Sequence, residues 1–193
     1  MPEDHTNELR DIAFRKIGRN VVNLQRFERM LKLIIVRSDV RGYASELARI
    51  QQDKIKDTEF KSMGKLVGEF FNTVYSTVPS NDGPANEFNE IWTAFGFRIG
   101  ANKDAMDHRK RQLAELVKER NWLIHSALAE LDFNSEESCK RLISQLDEQN
   151  DRLTPHYESL MSLVGNIQVA QEELVKQLVS HLRESVREDG DAG

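Results

Sequence analysis

Apolar residues recur every three or four positions along most of this chain, and no stretch shows the apolar-polar alternation of a half-buried strand. The longest regular stretch covers residues 8–37, where Ile17, Val21 and Leu24 mark one helical face. Long helices are permitted because the 193 residues include only four prolines. The pattern predicts an all-α fold, an antiparallel helical bundle with long N-terminal and C-terminal helices.

Breaks in this pattern divide the rest of the chain into further helices. The segment "SDVRG" at 38–42 ends the first helix, and "TVPSNDGP" at 77–84 is the clearest loop. The remaining helices are predicted from Tyr43 to about Lys56, after Ser62, through Trp92 and Phe95, and from about Asn102 to Leu131. A last helix is predicted after Asn134, and Pro155 either kinks that helix or starts a new one.

The length of the chain fits one domain, which we place at residues 1–187 with a frayed acidic tail at 188–193. The net charge of −5 gives no overall positive field that would attract nucleic acid. The segment from Arg98 to Arg120 is locally basic, with seven Lys and Arg against four Asp and Glu. A nucleic-acid site would therefore be local, although an ordinary solvated helix face explains the same charges.

Metal and disulfide chemistry find little support in the composition. Cys139 is the only cysteine, and the five histidines are scattered without helical i,i+3 or i,i+4 pairs. We therefore expect no metal and no cofactor. The polar N-terminus does not resemble a signal peptide, and the longest apolar run, "LIIV" at 33–36, is too short to span a membrane. These features predict a cytoplasmic protein with no membrane partner.

The central helix carries a charged residue within its apolar seam. Along residues 109–131 the seam is predicted to comprise five aliphatic positions, and Arg120 fills the gap in their spacing. These positions are Leu113, Val117, Ile124, Leu128 and Leu131. Burying a guanidinium without a partner is very unfavourable. Arg120 must therefore be paired, line a cleft, or face another chain.

Asn121 and His125 lie four residues apart and so share a helix face. Arg120 and His125 are five residues apart, about 140° around the helix axis. They can flank one groove, and a second copy of the helix across a two-fold axis would bring two arginines and two histidines together.

The segment "RNWLIH" at 120–125 resembles the R-x4–6-H motif of HEPN domains, in which a polar residue follows the arginine. "KSMGKLVGEF" is similar to a T-L-G-x-L segment of some bacterial HEPN-like proteins, and "DFNSEES…LISQL" to the stretch after their motif. The resemblance implies a HEPN-like homodimer whose paired motifs form a metal-independent endoribonuclease site. It also implies a toxin, phage-defence or RNA-processing setting, with an antitoxin or regulatory partner.

On this interpretation Arg120, Asn121 and His125 are the catalytic residues, and RNA is the substrate. Histidine can act as base or acid near neutral pH, and arginine binds phosphate while staying protonated. Within the basic segment, Arg109 and Lys118 are the expected contacts to RNA phosphates.

The alternative is a non-catalytic helical dimerisation or interaction module that retains the motif. His125 would then be an ordinary helix histidine. Arg120 would pair with a carboxylate from another helix, such as Glu69, Glu87 or Glu90.

Overall fold

The structure of the protein is a computed structural model that describes residues 2–75, 92–129 and 131–191. In this part of the chain five helices account for most residues, and the predicted all-α fold is confirmed. The helices are α1 Pro2–Arg37, α2 Leu47–Glu59, α3 Met63–Val74, α4 Lys103–His125 and α5 Glu136–Asp191. Two strands, β1 Asp39–Tyr43 and β2 Trp92–Gly96, form one small sheet.

The two longest helices, α1 and α5, pack side by side and run in the same direction. Contacts from the start of α1 to its end meet successively later residues of α5. Lys16 pairs with Asp147 at 2.5 Å, Asn23 donates to Asn150 at 2.9 Å, and the Arg37 carbonyl accepts from Gln171 at 3.1 Å. The bundle is therefore built on a parallel helix pair, and the chain between them returns along its length.

A buried polar layer fixes the register of this pair. The amide of Asn20 is buried and donates to the Leu146 carbonyl at 2.7 Å and to the Gln149 side chain at 2.9 Å. At the rim of this layer, hydrogen bonds from Lys16 and Arg19 hold the pKa of the Asp147 carboxyl below its ordinary value. Sliding α1 along α5 by one turn would leave the Asn20 amide without these partners, at a cost of about 1–3 kcal/mol.

The apolar core lies where α1, α3, α4 and α5 meet. Phe27 and Leu31 of α1, Phe70 of α3, and Leu146 and Leu160 of α5 are fully buried. Each such side chain stabilises the fold by about 1.5–3 kcal/mol relative to its exposed state. The positions of these residues at helical spacing explain why the sequence pattern predicted the bundle.

The β1–β2 sheet corrects two sequence expectations. No strand was expected, and a helix was predicted through Trp92 and Phe95, whereas residues 92–96 pair antiparallel with residues 39–43. Both segments contain the β-branched and aromatic residues that favour strands. The paired residues of β1 and β2 lie about fifty positions apart in sequence, so the local sequence pattern cannot indicate that they pair. The predicted loop at 77–84 and the part of this predicted helix before Trp92 lie outside the described residues.

The ends of α4 and α5 also differ from expectation. The helix α4 begins next to Asn102, near the predicted start, and the Asn102 side chain caps it by accepting from the Ala105 amide at 2.8 Å. It ends at His125 instead of near Leu131. The helix α5 continues through Pro155 to Asp191, so no new helix begins at the proline. The assignment of residues 1–187 to one domain stays a prediction.

Candidate functional site

The helix α4 carries all five predicted site residues and is held between two neighbours. It packs on α3 and runs antiparallel to α5. Two side-chain hydrogen bonds show that α4 and α5 are antiparallel: Arg109 to Ser159 at 2.7 Å, and Arg152 to Glu119 at 2.8 Å. The His125 end of α4 therefore lies toward the start of α5.

The buried side of α4 differs from the predicted seam. The side chains inside are those of Leu113, Leu116, Leu123 and Ala127. Of the predicted seam only Leu113 is buried, Val117 and Leu131 are partly buried, and two positions are exposed, Ile124 by 42% and Leu128 by 52%. The error has a simple cause: the apolar residues of α4 come in adjacent pairs, and sequence spacing does not tell which member of a pair faces inward.

Arg120 nevertheless belongs to the inward-facing series. It is four residues after Leu116 and three before Leu123, so its backbone lies on the buried side, and its side chain is partly buried. Its guanidinium Nη1 donates to the Asn121 Oδ1 at 3.3 Å. Among the residues that the structure describes, no carboxylate pairs with it. The arginine therefore keeps most of its donors uncommitted.

Of the three carboxylates considered as partners for Arg120, only Glu69 lies within the described residues. Glu69 pairs with Lys61 at 2.8 Å and not with Arg120. Glu87 and Glu90 lie outside the described residues.

The other two motif residues lie on the exposed surface of α4. The side chains of Asn121 and His125 face solvent together with Ile124 and Leu128. On standard helix geometry, Ile124 lies between Arg120 and His125 around the circumference of α4, and Leu128 follows in the turn after the helix. Four side chains, those of Asn121, Ile124, His125 and Leu128, form with Arg120 at their edge a surface that we call the motif face. It combines two exposed aliphatic side chains with every polar residue of the motif.

Arg109, one of the expected phosphate contacts, is partly buried against α5. Its guanidinium bridges to α5 through Ser159, and its buried Nε has no hydrogen-bond partner among the described residues. Burial and the nearby positive charge of Arg109 lower the pKa of His156 below its ordinary value. The residue is thus a link between two helices, and one side of its guanidinium is already occupied.

Lys118 is largely free in solvent and pairs with Glu115 of the same helix at 2.8 Å. It lies nine residues after Arg109, which places the two side chains on opposite sides of α4. The structure therefore keeps Arg120, Asn121 and His125 together but does not bring Arg109 and Lys118 onto one surface.

The described residues contain neither a metal-binding cluster nor a membrane-spanning helix. Within residues 2–75, 92–129 and 131–191, no group of three or more His, Cys, Asp or Glu side chains is placed to hold a metal ion. No helix in the same ranges is both long and apolar enough to cross a membrane. In comparisons with known proteins, no family model, no curated protein and no solved structure matches the chain.

Sequence reasoning missed a second cationic surface on α1. Arg26, Arg29 and Arg37 line one groove between α1, α2 and the middle of α5, together with Tyr157. The three arginines recur at helical spacing on α1, which is the signal that could have found them. That signal is weak because α1 also carries arginines on its other sides.

Proposed function

We propose that the protein is a HEPN-like endoribonuclease in which two motif faces meet across a two-fold axis and cleave RNA by attack of the 2′-hydroxyl. The observation that carries the proposal is the motif face itself. Asn121 and His125 open to solvent, Arg120 lacks a carboxylate partner among the described residues, and two exposed aliphatic side chains, Ile124 and Leu128, are near them in the chain. A sealed core position for these residues would have ruled the proposal out.

The exposed aliphatic pair supports the dimeric arrangement. Ile124 and Leu128 on one protomer would pack against the same pair on a second copy, since a two-fold interface contacts itself with the same patch. Arg120 and His125 lie on either side of Ile124 around the helix. Packing of this patch would therefore bring the polar residues of both copies to the edges of a shared cleft.

The proposed reaction assigns each motif residue one task. His125 of one copy accepts the proton of the 2′-hydroxyl, whose oxygen attacks phosphorus while the bond from phosphorus to the 5′-oxygen breaks. His125 of the second copy donates a proton to that leaving oxygen. Arg120 remains protonated and binds the phosphate as its charge grows. Asn121, whose Oδ1 accepts from Arg120, holds the guanidinium toward the cleft.

Two single substitutions and a matched control test the proposal. We expect His125→Ala and Arg120→Ala to lower the rate of RNA cleavage by at least ~100-fold, the usual contribution of a positioned acid-base group. His108→Ala is the control, because it removes an exposed histidine from another side of the same helix. The assay contains EDTA and measures fragments that end in 2′,3′-cyclic phosphate. Circular dichroism establishes that each variant folds.

The runner-up function is a non-catalytic interaction module, favoured by the same exposed Ile124 and Leu128. Under this alternative the purified protein cuts no RNA, and His125→Ala has no biochemical effect. Arg120→Ala then lowers the free energy of unfolding or weakens association. Cleavage that survives equally in His125→Ala and His108→Ala would also reject the enzymatic proposal.

A further inference from the structure

A large basic groove lies away from the motif face, between α1, α2 and α5. Arg26, Arg29 and Arg37 line it from α1, and Gln51 and Gln52 line it from α2. Its volume of about 980 Å³ is at the upper end of the range for sites that hold small ligands. A smaller hollow shares Arg26 and Tyr157 with it and extends it toward Asn23.

Three of the four cationic side chains that line this groove have no partner among the described residues. None of Arg26, Arg29 and Arg37 has a side-chain hydrogen bond or ion pair with another described residue. Lys32, by contrast, is committed to Glu28 at 3.1 Å and to the Glu59 carbonyl at 2.8 Å. Three uncommitted arginines on one groove, in a chain with a net charge of −5, indicate an anionic ligand.

The lining of the groove also includes apolar and aromatic side chains. Leu33 and Ile55 are among its aliphatic side chains, and Ile55 is 45% exposed. Tyr157 of α5 adds an aromatic ring that is only partly buried. Arginines beside apolar and aromatic side chains suit a strand whose backbone is charged and whose bases are flat. An acidic peptide would use the arginines but would leave the apolar and aromatic side chains without flat partners.

The length of the groove distinguishes a strand from a single nucleotide. From Asn23 to Arg37 it follows α1 for fourteen residues, about 21 Å at the helical rise per residue. A mononucleotide would occupy one part of it and leave at least one arginine unpaired. We infer that this groove binds a short segment of single-stranded RNA, with Arg26, Arg29 and Arg37 on phosphates and Tyr157 stacked on a base. The choice of RNA over DNA rests on the proposed function.

Binding of a fluorescent eight-nucleotide single-stranded RNA tests the inference, with His125→Ala as the background so that cleavage does not interfere. In that background Arg26→Ala/Arg29→Ala is expected to weaken binding at least ~10-fold. The slope of log K against log salt should fall by about 1.4, since each phosphate contact on a single strand contributes about 0.7. The control, Arg15→Ala/Lys65→Ala, removes two positive charges from exposed positions outside the groove and should change neither quantity by as much.

Substitution of the tyrosine separates stacking from charge. Tyr157→Phe should bind nearly as the parent protein does, whereas Tyr157→Leu should bind about 10-fold more weakly at an unchanged salt slope. Circular dichroism checks that Tyr157→Leu folds, and the arginine variants test the groove independently of it.

The outcomes distinguish this inference from the proposed function. Binding that depends on Arg26 and Arg29 supports the groove even if no RNA is ever cut, whereas cleavage without such dependence leaves the enzyme and overturns the groove. Equal weakening by the control pair would mean that only the overall charge matters. Displacement of the RNA by a deca-glutamate peptide of equal or higher affinity would also overturn the inference and indicate an acidic protein partner. The same affinity for DNA would remove the preference for RNA.

Discussion

His156 lies on α5 in a position where two physical effects oppose its protonation. Burial removes water from the imidazole, and the guanidinium of Arg109 adds a nearby positive charge, so the pKa of His156 is lowered from its ordinary value of 6.5. The consequence is a histidine that the folded protein holds in its neutral form below the pH at which an unfolded chain would protonate it.

This arrangement predicts a loss of stability in acid. As the pH falls through about 6.5, the unfolded chain takes up a proton that the folded protein does not, so the free energy of unfolding decreases. Urea unfolding between pH 7.5 and pH 5 should show this decrease in the wild type, and His156→Gln should reduce it. His108→Gln should keep the wild-type decrease, because His156 remains in place. Equal slopes for the wild type and His156→Gln would contradict the argument.

The residue scale also shows where prediction from the sequence stops. Arg120, Asn121 and His125 could be singled out, because a cation among apolar positions and an i,i+4 polar pair are local features. The inward face of α4 could not be fixed from such features. Leu116 with Val117, and Leu123 with Ile124, offer two parallel stripes of similar hydrophobicity. Only packing against α3 decides which stripe is buried.

The sheet formed by β1 and β2 depends on one unusual backbone conformation. Gly42 has a φ of +151°, which residues with a side chain rarely adopt, and an added Cβ would lie 2.5 Å from the Cδ1 of Ile50. Beyond the strands, the Phe97 amide continues the pairing by donating to the Ser38 carbonyl at 2.7 Å. The conformation of this one residue therefore lets α2 approach β1.

Gly42→Ala should lower the free energy of unfolding by about 1–3 kcal/mol, because it combines backbone strain with a close contact. Gly68→Ala is the matched control. Gly68 lies inside α3 with no atom within 4 Å of an added Cβ, so alanine there should raise the free energy of unfolding by up to about 1 kcal/mol. Chemical denaturation measures both changes. A neutral Gly42→Ala would show that β1 relaxes easily and that its backbone conformation is not required.

At the scale of elements, the sequence predicted the helices much better than the strands. The stripes of α1, α3 and α5 repeat over several turns, so each helix carries its own signal. A five-residue strand has room for only two or three alternations, and β1 and β2 form by pairing with each other. The groove between α1, α2 and α5 was also missed, since its lining comes from three separate elements.

The proposed dimer makes a prediction for the whole molecule. Ile124→Glu/Leu128→Glu would place carboxylates of both copies together at the two-fold axis, where like charges cost several kcal/mol. Sedimentation velocity should then show a monomer, and RNA cleavage should disappear with the dimer. Met161→Glu/Val169→Glu is the control, because it alters two exposed apolar residues of α5, exposed by 47% and 66%. A dimer that survives the first pair and dissociates with the second would move the interface to α5.

The parallel packing of α1 and α5 has a consequence for how the chain is made. The side-chain bonds between these helices join residues 126 to 134 positions apart. At 5–20 residues per second, a ribosome takes roughly 6–27 s to add that many residues. During this interval α2, α3 and α4 are made in turn and become contacts for α1, but its main partner is still missing. The nascent chain therefore exposes the face of α1 that later packs on α5, and the yield of folded protein in the cell should depend on the capacity of chaperones.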